Sequence, residues 1–367
     1  MKFYKEIPII RAIAAIMIVI VHFTANTYHN GNEFTNDWLG YLNQISRLGT
    51  PIFAIISAFL LTASVLNRGF DLKYFIKSRF SKIFIPYIIW TTFYLMFRYF
   101  YLHNLDENIS LYSYFMKGNA QYHLYFILTV IQFYIFFPFL HRIKKGWPLI
   151  SVLVLSVILN LWWINKAPFD LQFKPLEELL NNQSFLFNWI FYFMLGIAYA
   201  KYYSEFQYFI TKYKRVLSVC IGIMFVDLIV SIDFNHLFTS IHSYNIVYIP
   251  FFFIFLNYFY NYIEKEPILF NTLTLIGNYS MGIYLVHVFV IYTLRSTKLF
   301  ANATESYMFM PTLLSILGIS VFIVYLISKL PYGNYIVPVP KKREKNNNVK
   351  PHIRTMESNL DRSINVD

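Results

Sequence analysis

PIIRAIAAIMIVIVHF, residues 8–23, is the stretch that decides the fold class. It begins with Pro8, which suits the first turn of a helix because no amide hydrogen is needed there. The residues that follow are apolar apart from Arg11 and His22. A spanning helix needs roughly 20 predominantly apolar residues. The stretch therefore predicts the first transmembrane helix of a membrane protein.

Arg11 and His22 interrupt this apolar helix. At about 3.6 residues per turn they lie close to three turns apart, so they share one face and are separated by about 16 Å. Ala14 and Ala15 lie between them on that face and leave room for another group. Ionisable side chains inside a membrane helix are costly and are by default functional. The alternative is that Arg11 extends to the interface and His22 bonds a neighbouring carbonyl.

The composition is that of a membrane protein. Of the 367 residues, 57% are hydrophobic and 14% are charged, whereas soluble domains average about 25% charged residues. The 39 Phe and 31 Tyr suit lipid-facing surfaces and interfacial belts. The single cysteine, Cys220, leaves no intramolecular disulfide and no cysteine-based metal site within these residues. The net charge of +12 is expected to reflect membrane topology rather than nucleic-acid binding.

Ten apolar segments predict an all-α polytopic membrane protein with about ten transmembrane helices. They lie at about 8–28, 43–66, 83–102, 121–140, 148–165, 185–203, 216–233, 245–262, 272–294 and 308–330. Lys and Arg are concentrated in alternate loops, which by the positive-inside rule places both termini in the cytoplasm. Lys2 and Lys5 before the first segment resemble a signal peptide, but the long run and the spans that follow predict an uncleaved helix.

Two regions differ in composition. Residues 1–335 are predicted to form one integral membrane domain. Residues 336–367 are predicted to form a basic, disordered cytoplasmic tail, since they are too polar to bury a core. The basic start of this tail, at Lys341, is expected to lie against anionic membrane lipid.

The loop after the second predicted span is the densest basic cluster. Its basic residues are Arg68, Lys73, Lys77, Arg79 and Lys82. Lys73 and Lys77 share a helix face at i,i+4, and Arg79 and Lys82 do so at i,i+3. The positive-inside rule alone explains such a cluster. The functional alternative is a cytoplasmic site for a phosphorylated donor, because Arg binds phosphate through its planar fork and Lys through its point charge.

Histidines in two other predicted spans reach a depth comparable with that of His22. His123 opens the fourth span, where an interfacial His is also common, and His287 lies in the ninth. A polar stripe at i, i+3, i+7 and i+10 of the ninth span consists of Gly277, Ser280, Tyr284 and His287. Three histidines are thus predicted at one membrane level. They are of a type that binds metal, but no HExxH pair or carboxylate cluster accompanies them, so no metal is expected.

Two further features are open to more than one interpretation. The second span carries Ala54, Ser57 and Ala58, which are small enough to allow close helix packing. Asp227 is the acidic residue well inside an apolar span. Its carboxylate either orients a histidine, as the acid does in catalytic triads, or forms a hydrogen bond to another helix.

In order and spacing, these motifs resemble the acyltransferase-3 family of integral membrane acyltransferases over about residues 5–330. The Arg11 and His22 pair resembles the family's Arg–ten residues–His motif. Segments similar to further family motifs begin at Gly49, Arg79, Tyr122, Trp189 and Gly277. Three positions depart from the family pattern, namely Ala58 for Gly, Lys82 for a second Arg and Tyr125 for Trp. In length and aromatic content the chain is similar to the subgroup that modifies intercellular-adhesin-type exopolysaccharide.

The resemblance implies an enzyme of the bacterial plasma membrane. It would move an acetyl or succinyl group from acyl-CoA, a co-substrate rather than a cofactor, to a hydroxyl of a cell-envelope or extracellular polysaccharide. The implied catalytic residues are His22 as general base, Arg11 and His287. Acyl-CoA binding is implied for Arg79, Lys82 and Arg68, and acceptor or supporting roles for His123, Tyr284, Ser57 and Asp227. The alternative function is an exporter of exopolysaccharide or lipid-linked sugar, and the oligomeric state stays open.

Overall fold

The computed structural model describes residues 4–30, 33–34, 36–106, 108–234, 237–297, 300 and 305–340. The apolar runs form helices. In chain order these are α1 (Glu6–Thr27), α2 (Asp37–Ser46), α3 (Gly49–Arg68), α4 (Leu72–Arg79), α5 (Ile85–Phe97), α6 (Leu111–Lys117), α7 (Tyr125–Leu140), α8 (Trp147–Lys166), α9 (Lys174–Leu180), α10 (Ile190–Lys201), α11 (Tyr203–Lys212), α12 (Lys214–Val230), α13 (Asn245–Ile263), α14 (Pro267–Arg295), α15 (Phe309–Lys329) and α16 (Gly333–Ile336). Short 3-10 turns occur at Leu186–Asn188 and Ser306–Met308. A minimal antiparallel pair, β1 (His29–Asn30) with β2 (Glu33–Phe34), follows α1.

The prediction of an all-α polytopic membrane protein is confirmed. Within the described residues, seven helical segments are long and apolar enough to cross a membrane. They are Glu6–Ala25, Asp37–Arg68, Leu72–Leu102, Trp147–Lys166, Asn245–Ile263, Pro267–Arg295 and Ser306–Lys329. Helices α7 and α10 are shorter apolar helices, and α12 occupies the remaining predicted segment. The total of ten spans and the cytoplasmic location of both termini stay predictions, and residues 341–367 of the predicted tail lie outside the described residues.

The third span begins earlier than its apolar run predicts. Most of the basic loop is helix α4, whose first turn is capped by Asp71, with Oδ1 accepting from the Tyr74 amide at 2.6 Å. A π-helical turn, Phe80–Phe84, joins α4 to α5. In it the Ile85 amide donates to the Phe80 carbonyl. This wider turn directly precedes Pro86, which has no amide hydrogen and crowds the turn before it, so the helix continues past the proline.

Helix α1 packs against α14 through a glycine. A Cβ at Gly277 would lie 1.8 Å from the Pro8 carbonyl oxygen, so the two backbones are in direct contact there. Ser280, one turn further along α14, is fully buried. This contact turns the predicted polar stripe of α14 toward the face of α1 that carries Arg11.

Helix α3 packs equally closely against α10. A Cβ at Gly196 would lie 2.1 Å from the Ile55 carbonyl oxygen and 2.9 Å from the Cβ of Ala58. The prediction of close packing by the small residues of this span is confirmed at Ala58. A larger residue at either position would separate the two helices.

We expect Gly277→Ala to destabilise the protein by at least about 1–3 kcal/mol, the range for overpacked sites, because the new methyl group meets backbone rather than a movable side chain. Gly222→Ala is the matched control, since a Cβ there meets nothing within 4 Å and alanine favours helix by about 1 kcal/mol. Thermal melting of the detergent-solubilised protein measures both. Equal melting temperatures for Gly277→Ala and the unmodified protein would contradict this packing.

Candidate functional site

Three histidine rings meet where α1, α14 and the turn before α7 come together. The His22 and His287 ring centroids are 5.3 Å apart, those of His123 and His287 are 5.1 Å apart, and those of His22 and His123 are 6.3 Å apart. His123 and His287 are almost completely buried, at 1% and 0% exposure. The structure thus brings together three histidines that the sequence placed at one depth.

His287 is held in one tautomer by its own helix. Its Nδ1 lies 2.9 Å from the Tyr284 carbonyl oxygen and 3.1 Å from the Ile283 carbonyl oxygen. A carbonyl only accepts hydrogen bonds, so Nδ1 carries the proton and Nε2 keeps its lone pair. Among the described residues this buried Nε2 has no hydrogen-bond partner. His287 therefore presents a free proton acceptor to the cluster.

Tyrosines hold the backbone around His123. The Tyr284 hydroxyl donates to the His123 carbonyl. Tyr94 packs its ring 5.1 Å from the His123 ring, and its hydroxyl donates to the Leu285 carbonyl at 2.7 Å and accepts from the Phe289 amide at 3.3 Å. Neither nitrogen of the His123 ring makes a hydrogen bond of good geometry among the described residues, although the Leu285 backbone lies close enough to interact with the ring. The structure places Tyr284 as an anchor of the His123 turn.

Arg11 faces α14, as its position on the His22 face of α1 requires. Its Nε donates to the Ser280 hydroxyl at 3.0 Å. Tyr134 of α7 lies within electrostatic range of the guanidinium. A hydroxyl partner leaves the positive charge of Arg11 un-neutralised, which suits the stabilisation of a developing negative charge.

A cavity of about 300 Å³ lies where α3 ends and α4 begins, and two of the three residues predicted to bind a donor line it. Arg68 and Arg79 both line it, together with Phe70. The Arg79 Nε is buried without a partner among the described residues. Lys82 is exposed on the π-helical turn and is not one of the lining residues, although its charge acts on Tyr74, which lines the cavity. The arginines are therefore the cations that the cavity offers to an anion.

Tyr134 connects this cavity with Arg11. The Arg79 guanidinium carbon lies 5.6 Å from the centre of the Tyr134 ring, and the same tyrosine lies within electrostatic range of Arg11. Sequence reasoning missed Tyr134, because nothing distinguishes it from the other tyrosines of the chain.

His141, also missed, packs behind the same cavity. Its ring stacks on Phe70 with centroids 4.1 Å apart. Burial lowers the pKa of His141, and the charges of Arg142 and Lys201 lower it further. The imidazole is therefore neutral near pH 7 and adds an aromatic wall rather than a charge.

A second cavity, of about 340 Å³, lies beyond the histidines at the C-terminal end of α1. Its lining residues are Arg98, Leu102, Asn104, Asn119, Gln121, Tyr122 and Tyr292. The Tyr122 ring lies 4.7 Å from the His22 ring. The histidine cluster is therefore bordered by a polar cavity on this side.

Two predicted site residues lie away from the cluster. Asp227 is exposed on α12, and its Oδ2 accepts from the Tyr248 hydroxyl at 2.7 Å. The interpretation that Asp227 orients a histidine is thus wrong, and the hydrogen bond to another helix is what the structure shows. Ser57 is half-buried on α3, between the residues that pack against α10.

Arg47 is a further cation that sequence reasoning did not assign to the site. It lies within electrostatic range of His22, and its Nε donates to Asn43 Oδ1 at 3.1 Å. Asn43 in turn donates through Nδ2 to the Val21 carbonyl at 3.0 Å and to Thr24 Oγ1 at 2.8 Å, which fixes the end of α1. Polar residues at i,i+4 at the start of a predicted span are the signal that identifies this pair.

Within the described ranges, no group of three or more His, Cys, Asp or Glu side chains is placed to hold a metal ion.

Comparison with known proteins gives two kinds of match. The acyltransferase-3 family model, described as an acyltransferase domain, matches residues 4–329. A Staphylococcus aureus (strain Mu50) protein named "Probable poly-beta-1,6-N-acetyl-D-glucosamine export protein" is 27% identical over 339 residues, 87% of this chain and 91% of that protein. A Staphylococcus epidermidis protein of the same name is 25% identical over 334 residues, which are 86% of this chain and 89% of that protein. No solved structure gives a significant match.

We expect His123→Leu to raise the free energy of unfolding by about 1 kcal/mol, because a buried ring nitrogen without a well-formed hydrogen bond carries a desolvation cost of about 1–3 kcal/mol. Tyr94→Phe is the control. It removes a hydroxyl with two partners and is expected to lower stability by a similar amount. Melting temperatures of the solubilised variants test this, and a lower melting temperature for His123→Leu would show that the imidazole is structural.

Proposed function

The chain belongs to the acyltransferase-3 family, and we propose that it is a membrane O-acyltransferase. In this proposal an acetyl or succinyl group moves from acyl-CoA to a hydroxyl of a cell-envelope or extracellular polysaccharide. The observation that carries the proposal is the face of α1 between two cavities. Arg11 lies toward the arginine-lined cavity, and His22 contacts His287 and the lining of the second cavity.

The donor enters from the side of the arginine-lined cavity, which the predicted topology makes cytoplasmic. The phosphates of CoA are anions, and Arg68 and Arg79 offer guanidinium donors of the type that binds phosphate. Arg79 has a buried nitrogen with hydrogen-bonding capacity to spare. From there Tyr134 leads to Arg11, and the acyl thioester follows this line toward the histidines.

The transfer itself needs a general base. A histidine of the cluster takes the proton of the acceptor hydroxyl as the oxygen attacks the thioester carbonyl carbon. The new carbon–oxygen bond forms, the carbon–sulfur bond breaks, and the proton passes to the CoA thiolate. His287 Nε2 has the free lone pair this step requires, and His22 lies beside it nearer the second cavity. Arg11 lies about 16 Å from His22 along α1, too far to reach a carbonyl oxygen at the histidines, and its positive charge instead holds the anionic donor on its path toward them.

The names of the relatives favour a second candidate function. Both staphylococcal proteins are named for export of poly-beta-1,6-N-acetyl-D-glucosamine, which agrees with the exporter alternative. Buried histidines with unpartnered nitrogens favour chemistry, whereas an exporter has no need of a base that faces a bound hydroxyl. The same relatives suggest a β-1,6-linked N-acetylglucosamine polymer as the acceptor.

His22→Ala and His287→Ala are expected to lower acyl transfer by about 10²–10⁴, the range for loss of a general base. Transfer of radiolabelled acetyl or succinyl groups from the CoA thioesters to oligosaccharide, by protein in proteoliposomes, measures this. His242→Ala, outside the cluster between α12 and α13, is the control and is expected to keep full activity. Full transfer by both variants would show that neither histidine is the general base, and no transfer by the unmodified protein would contradict the enzyme assignment.

Removal of the gene separates the two candidate functions in cells. The enzyme predicts that the polysaccharide is still present at the surface and has lost its ester groups. The exporter predicts that the polymer itself disappears. Mass analysis of the envelope and secreted polysaccharide distinguishes the two results.

Arg79→Ala is expected to raise the KM for acyl-CoA by roughly ten- to a hundredfold, because hydrogen bonds to charged groups contribute about 1.5–3 kcal/mol. Arg142→Ala serves as its control, since Arg142 is also an arginine but is exposed and lies outside the cavity. Initial rates at varied acyl-CoA and fixed acceptor give both values. If both variants change the KM for acyl-CoA by the same small amount, Arg79 does not bind the donor and its charge serves only the membrane topology.

A further inference from the structure

The second cavity has the chemistry of a carbohydrate site. Its lining combines the side-chain amides of Asn104, Asn119 and Gln121 with the rings of Tyr122 and Tyr292. Amides both donate and accept hydrogen bonds, which matches hydroxyl groups, and aromatic rings match the apolar faces of a pyranose. Its volume of about 340 Å³ is at the small end of ligand pockets, which span about 300–1,000 Å³. It is large enough for about one sugar residue.

Arg98 builds the rim of this cavity. Its Nη2 donates to the Asn104 carbonyl at 2.8 Å and its Nε to Asn104 Oδ1 at 3.2 Å, while Nη1 donates to the Asn119 carbonyl at 3.4 Å. The guanidinium also lies over the Tyr114 ring, 5.7 Å from its centre. Because these contacts occupy much of the guanidinium, Arg98 positions the two asparagines rather than serving as an open anion site.

The amide groups of the rim keep hydrogen-bonding capacity for a ligand. The Asn119 side chain is exposed, and within the described part of the chain it makes no hydrogen bond to protein. Asn104 uses its Oδ1 on Arg98, which leaves its Nδ2 as a donor. Both amides are therefore able to bond an uncharged, hydroxyl-rich ligand without first breaking a hydrogen bond to protein.

The floor of the cavity leads directly to the histidines. Gln121 is buried, at 6% exposure, and its Oε1 accepts from the Tyr122 amide at 3.1 Å. Tyr122 in turn packs against His22, and His123 follows in the chain. A sugar held by the rim therefore presents one of its hydroxyl groups to the histidine cluster.

We infer that this cavity is the acceptor subsite and that it binds one neutral sugar residue of a glycan through Asn104, Asn119 and Gln121, with Arg98 as a positioning residue. The inference rests on the proposed function for its role in transfer. The rest of the glycan extends away from the protein, because the cavity holds only one residue. Specificity for the sugar then resides in the rim amides rather than in the histidines.

Acceptor kinetics give the first test, with a β-1,6-linked N-acetylglucosamine oligosaccharide as the acceptor probe. Asn119→Leu is expected to raise the KM for this acceptor about three- to tenfold, the effect of losing a hydrogen bond, and to leave the KM for acyl-CoA unchanged. Asn108→Leu is the matched control, because Asn108 is also an exposed asparagine, on the other side of α6, but bonds Asp106 outside the cavity. An unchanged acceptor KM in Asn119→Leu, in a protein that performs transfer, would overturn the subsite.

A protection experiment tests the subsite without relying on transfer. Cys220 is the one cysteine of the sequence, so Leu102→Cys in a Cys220→Ser background provides a single thiol in the cavity lining and keeps the amide groups that bind the sugar. The oligosaccharide is expected to slow alkylation of this thiol by a membrane-impermeant maleimide, and glycerol 3-phosphate is not.

The outcomes separate this inference from the proposed function. Protection by the oligosaccharide without acyl transfer would keep the subsite and remove the enzyme assignment. Acyl transfer without protection would keep the enzyme assignment and remove the subsite. Protection by glycerol 3-phosphate instead of the oligosaccharide would overturn the inference and identify a site for an anionic headgroup.

Discussion

The backbone contact between Pro8 and Gly277 is the constraint on which the rest of the site depends. It fixes α1 and α14 side by side, and Arg11 then meets Ser280 and His22 meets His287. The order of these contacts makes the two helices parallel. Parallel orientation agrees with their places as the first and ninth predicted spans, because odd-numbered spans cross the membrane in the same direction. A side chain at Gly277 would push α1 and α14 apart, so that all three contacts would be lost together.

This packing lines up polar groups across an otherwise apolar bundle. The line runs from the arginines of one cavity through Tyr134 to Arg11, and then along α14 to the histidines and the second cavity. Charges interact more strongly where water is excluded. Arg11, whose partner is the uncharged Ser280 hydroxyl, therefore attracts nearby negative charge strongly. The buried nitrogens of His123 and His287 cost stability, a cost that proteins commonly carry at functional sites. In the proposed reaction these same groups perform the chemistry.

Helical periodicity explains which parts of the site could be predicted from sequence. Arg11 with His22, and Ser280 with His287, lie on fixed faces of long helices, so spacing alone predicts that they share a face. The depth of a residue in the membrane predicts its contacts less well when the face of its helix is unknown, as Asp227 shows. Its depth resembled that of the histidines, but it belongs to α12 and bonds Tyr248.

Other parts depend on tertiary structure that the sequence does not reveal. Tyr134 is one of 31 tyrosines and is distinguished only by its two arginine neighbours. The π-helical turn before Pro86, which carries Lys82 outside the cavity lining, is likewise not revealed by apolar patterning.

In the proposed reaction, donor and acceptor approach α1 from opposite sides of the membrane. The direct test is acyl transfer in proteoliposomes with oligosaccharide trapped inside and acyl-CoA added outside, with protein orientation determined separately. Transfer is expected only when acyl-CoA is on the side of Arg68 and Arg79, and transfer that requires donor and acceptor on the same side would contradict the account.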